Sequence, residues 1–63
     1  MNFEIGTKAI YNFPESGKTT AGEIIFVGET TIHLKSFEGF IIKIRWSNFE
    51  NLEVVDNSEI MVA

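Results

Sequence analysis

Apolar and polar residues alternate along 23–27, 31–36 and 40–46, and the apolar members are mostly β-branched or aromatic. A period of two in such residues predicts half-buried β-strands, so the centre of the chain reads as a three-stranded meander. Facing residues of an antiparallel pair must lie on the same side of the sheet, and this condition selects the turns. At the second turn a three-residue loop, Phe37-Glu38-Gly39, pairs Ser36 with Phe40, Leu34 with Ile42 and Ile32 with Ile44. It also places Gly39 at the left-handed position on which such loops end. The same rule at Gly28-Glu29-Thr30 pairs Phe26 with Ile32 and Ile24 with Leu34, and sets Glu23 opposite Lys35.

Upstream, Gly6-Thr7 predicts a turn, and residues 8–13 predict a first strand with Ala9, Tyr11 and Phe13 on one side. Pro14 to Lys18 is a turn cluster, in which Pro fixes its own φ and Gly accepts a positive one. Downstream, Ser47-Asn48-Phe49-Glu50 has the S-x-x-E spacing of a capping box and predicts one short helical turn. A last strand follows at 52–55, with Leu52 and Val54 inward. Five short strands bury one apolar face most economically as a small barrel in which the fifth closes on the first. The expected organisation is a single all-β domain over 1–55 and a tail over 56–63, acidic and then apolar at Ile60-Met61-Val62.

Composition narrows the function classes. The chain has 63 residues, a formal charge of −4 and no cysteine, which removes disulfides, thiolate nucleophiles and the common structural zinc sites. No apolar run approaches the ~20 residues that span a bilayer, and no leader pattern opens the chain, so the expectation is a soluble cytoplasmic protein without a membrane role. Ser16-Gly17-Lys18-Thr19-Thr20 ends like a phosphate-binding loop, but Asn12 stands where the first glycine of that motif is required, and strand rather than helix follows Thr19. His33 has neither further ligands for a metal nor a nucleophile or orienting carboxylate in its row. The expectation is therefore a non-enzymatic protein with no cofactor and no metal site.

Several segments together resemble the SH3-like small barrels, including KOW and Tudor domains: Gly6-Thr7, Gly22-Glu23-Ile24, the acidic-Gly turn Glu38-Gly39 and the closing Leu52-Glu53-Val54. The resemblance covers residues 5–55 and implies a single five-stranded SH3-like barrel with a short helical turn before the last strand. Ala9-Ile10-Tyr11-Asn12-Phe13 and Ser47-Asn48-Phe49 further resemble two segments of peptide-binding SH3 domains, whose aromatics line a groove for proline-rich peptides. The Trp-Trp pair of those domains is absent, and Arg45-Trp46 replaces the Pro before Ser-Asn.

The derived register gives three rows on the outer face: Ile25 with His33 and Lys43, Val27 with Thr31 and Arg45, and Glu23 with Lys35 and Ile41. His33, Lys35, Lys43 and Arg45, with Ile25 and Ile41, form a mixed cationic and apolar surface suited to a macromolecular contact. An ordinary solvated sheet face carries the same residue types. Tyr11, Trp46 and Phe49 are an alternative aromatic groove, against core packing as the competing role. The reading is a small protein-interaction module, a modulator of a bacterial or phage complex. The alternatives are a KOW-like nucleic-acid contact and a homo-oligomer assembled through its tail.

Overall fold

The computed structural model describes residues 3–55, and the tail expected at 56–63 lies outside the described residues. The chain forms β1 (Lys8–Asn12), β2 (Thr19–Val27), β3 (Thr31–Ser36), β4 (Ile41–Arg45), a 3₁₀ turn (Trp46–Asn51) and β5 (Leu52–Val54). All pairings are antiparallel, in the order β4-β3-β2-β1-β5. The fifth strand joins the first as expected, but the sheet does not close into a hydrogen-bonded ring among the described residues. The 3₁₀ turn carries the chain from one sheet edge, β4, to the other, β5.

Alternation explains the core. Ala9 and Tyr11 of β1, Ile24 of β2, Ile32 and Leu34 of β3, Ile44 of β4 and Leu52 of β5 are all buried, with Phe3, Phe13, Ile42 and Phe49 packed around them. Val54 is the inward partner of Ala9, yet it sits at the rim and stays half-exposed. Around Gly22, β2 pairs with β1 and β3 together, so one short stretch of backbone serves both halves of the sheet. A Cβ at Gly22 would overlap the Lys35 carbonyl oxygen and lie 2.8 Å from its carbon and 2.9 Å from Ser36 Cα. A side chain there would force β2 and β3 apart, which is the use of glycine where a sheet bends sharply.

The second hairpin has the derived geometry. Gly39 has φ of 109°, the Gly39 amide donates to the Ser36 carbonyl (2.9 Å), and the Ser36 amide donates to the Phe40 carbonyl (2.7 Å). The buried Ser36 hydroxyl accepts from the Glu38 amide at 2.8 Å, so this inward polar group is satisfied. All five β3–β4 pairs follow from the alternation.

The first hairpin differs from expectation. Ile24 pairs with Leu34 as derived, but then Phe26 pairs with His33 and Val27 with Ile32, with a β-bulge between Ile24 and Phe26. One extra residue in β2 reverses the facing of everything after it, so Phe26 turns outward and Val27 takes the place opposite Ile32. The connection shortens to Glu29-Thr30, and the Gly28 amide donates to the Thr31 carbonyl at 2.8 Å. The capping box also differs: Arg45 is the N-cap of the 3₁₀ turn and no side chain caps it, because the turn begins one residue before Ser47.

Candidate interaction face

The outer face is assembled by the two hairpins. In its middle row, Ile25 and Phe26 of β2 stand together against His33 of β3, and His33 faces Lys43 of β4. The Phe26 and His33 rings lie 4.8 Å apart at 39°. The Phe26 ring also lies close to Gly28, where a Cβ would come within 2.9 Å of its Cε2. Phe26 nevertheless keeps 45% of its surface exposed. It is an aromatic side chain positioned by His33 and Gly28 and still open to solvent.

The flanking rows follow the β3–β4 register. Thr31 faces Arg45, and the third row runs Lys8, Glu23, Lys35, Ile41 across four strands. Glu23 is opposite Lys35 as derived, but its carboxylate makes its ion pair with Lys8, at 3.7 Å. Lys35, Lys43 and Arg45 have no carboxylate within ion-pair distance among the described residues. All three are exposed, as are Ile25 and, at 54%, Ile41. Cations spaced by two residues along β4 and flanked by apolar side chains produce a local positive potential on a chain of net negative charge.

The six outer-face residues expected from sequence thus share one surface, although the bulge gives Phe26 the place against His33 that Ile25 was expected to hold alone. Phe26 was missed because strict alternation sends it inward. Gly28, two residues beyond it and needed for the close approach of its ring, is the local signal.

Tyr11, Trp46 and Phe49 have separate neighbours. Tyr11 is in the core with its ring edge-on to Phe13 (5.0 Å), Phe49 is half-buried against Phe3 (5.8 Å), and Trp46 opens the 3₁₀ turn with 62% of its surface exposed. No aromatic pair joins any two of the three among the described residues. A depression of ≈ 240 Å³ does bring Tyr11 and Phe13 beside Asn48, uniting the two segments that resemble peptide-binding SH3 domains. Burial and then the charge of Glu15 lift the Tyr11 phenol above its ordinary range.

A wider groove of ≈ 550 Å³ lies between the β1–β2 loop and the tip of the second hairpin, walled by Phe13, Phe37 and Phe40 with Lys18 and Glu38 at its sides. The segment that resembled a phosphate-binding loop borders it, but β2 begins at Thr19 where such a loop is followed by a helix. Among the described residues no group of three His, Cys, Asp or Glu side chains converges as a metal site would require, and no helix is long and apolar enough to cross a membrane.

These features define a class: a small all-β protein built on one five-stranded antiparallel sheet, with a mixed aromatic and cationic outer face. Comparison with protein-family models, curated proteins and solved structures found no match, so the chain's own geometry carries the functional argument.

Proposed function

We propose that this chain is an SH3-like small barrel acting as a non-enzymatic protein-interaction module, a modulator of a larger bacterial or phage complex, through the outer face of its sheet. The observation that carries this reading is the contiguity of exposed Ile25, Phe26 and Ile41 with Lys35, Lys43 and Arg45. An apolar centre contributes affinity by leaving water, and the cations around it steer and orient an acidic partner. Core contacts do not involve Lys43 or Arg45, which are exposed on the sheet's outer side, so their charge can be reversed without altering the packing.

The test is capture from a bacterial lysate, with and without nuclease, using the native protein and a Lys43→Glu/Arg45→Glu variant whose circular dichroism matches it. A nuclease-resistant partner retained by the native protein and lost by the variant is the expected result. Equal retention by both excludes the outer face.

The exposed Phe26 ring, tilted against His33 beside the cations, favours a second reading, a KOW-like contact with single-stranded nucleic acid, since exposed aromatics on a cationic sheet face are platforms for bases. Binding of this kind weakens steeply with salt, with a log–log slope of about −0.7 to −0.9 per phosphate neutralised. A salt-independent profile excludes it.

A further inference from the structure

The β4 strand ends the sheet, and its hydrogen-bonding register shows what that edge presents. The Ser36 amide bonds the Phe40 carbonyl at one end of the β3–β4 ladder, and the Trp46 amide bonds the Thr30 carbonyl at the other. Bonded and non-bonded pairs alternate along an antiparallel ladder, so between those ends the bonds to β3 are made by Ile42 and Ile44. The amides of Ile41, Lys43 and Arg45, and the carbonyls of Ile41 and Lys43, therefore point away from β3. No strand of the described residues pairs with them. The side chains of the same three residues stand on the outer face, all exposed.

An added strand would meet this edge as one pattern: backbone groups at every second residue, with two positive side chains and one apolar side chain in line. We infer that β4 takes up an extended segment of a protein partner by strand addition. The segment has acidic residues at alternate positions opposite Arg45 and Lys43, and an apolar residue opposite Ile41. Directly facing opposite charges set the register of such a pair, and the main-chain bonds supply the affinity. The occupant is another protein rather than a second copy, because no two of the nine Asp and Glu residues of this chain stand two positions apart. Lysine and arginine on the edge also deter pairing between copies, whose own edges carry the same charges.

This inference rests on the outer-face reading, and amide exchange separates the two. The probe is a short blocked peptide with glutamates two residues apart, a valine two residues beyond them and threonines between, so that all three fall on one strand face; the control has lysines in place of the glutamates, and each is added to the intact isotope-labelled protein. With the glutamate peptide near nine-tenths saturation, exchange at the Ile41, Lys43 and Arg45 amides should slow about tenfold, and the control should leave them unchanged. Lys43→Pro removes an outward amide without touching the β3 ladder and should abolish binding while the thermal midpoint changes little. Shifts at Phe26 and His33 without protection of the three amides would overturn strand addition and leave the outer-face reading standing. No response to either peptide at any residue overturns strand addition by acidic segments, and the lysate capture then decides the outer-face reading alone. Equal binding of both peptides overturns the charge assignment.

Discussion

Replacing Gly22 by alanine tests whether the bend of β2 is the device that lets one sheet enclose a core. The added methyl group meets backbone, the Lys35 carbonyl and Ser36 Cα, and a carbonyl cannot rotate away as a side chain can. Two effects oppose each other. Alanine restricts the unfolded chain and gains roughly 0.5 to 1 kcal/mol in a strand. Overpacking of a filled interior costs roughly 1 to 3 kcal/mol, and overlap with main chain belongs at the upper end. The net loss is about 2 kcal/mol, set against a total stability of roughly 3 to 9 kcal/mol for a chain of this length. With a urea dependence of about 1 kcal/mol per molar, the unfolding midpoint should fall by about 2 M, read by tryptophan fluorescence of Trp46 and by circular dichroism together. A midpoint within about 0.5 M of the native protein would refute the reasoning, since it would mean that β2 and β3 separate at little cost.

Gly28→Ala offers the contrast, because its methyl group would chiefly displace the Phe26 ring. Nuclear Overhauser contacts between Phe26 and His33 should weaken, with a smaller loss of stability than at Gly22. The Tyr11 phenol, raised by burial and then by Glu15, keeps its proton in the folded state at pH values where the unfolded chain has lost it. Stability should therefore be insensitive to this group below about pH 10 and fall as pH rises from there through the folded-state value. Tyrosinate absorbance checks this without ambiguity, as the chain has one tyrosine; equal midpoints in folded and urea-unfolded protein would contradict it.

The outer-face cluster and most of the fold were legible in the chain because both rest on period-two alternation and on turn chemistry with few solutions. Ser36 to Phe40 shows this best: the need to keep Leu34, Ile42, Ile32 and Ile44 on one side admits one loop length, and a glycine stands where that loop demands positive φ. The capping box was a weaker guide, since S-x-x-E describes a side-chain contact that a 3₁₀ turn beginning at Trp46 does not form. Glu23 shows another limit. Its cross-strand neighbour Lys35 was derivable from the meander, but the competing Lys8 arrives from a strand whose register no local turn specifies.

Alternation and turn chemistry alone were enough for the all-β class, the number of strands, the core residues Ala9, Tyr11, Ile32, Leu34, Ile44 and Leu52, and the cations that share the outer side. Local sterics and alternation are sufficient for these, because each depends on residues a few positions apart. The bulge at Ile25–Phe26, the outward turn of Phe26 toward His33, the Lys8–Glu23 pair and the unpaired edge of β4 emerge from the packed fold. Each of these is settled by competition for a shared interior and by which strands meet across the sheet. A single inserted residue costs little locally, yet it reverses every side chain that follows it, so its position is fixed by how the whole core is filled.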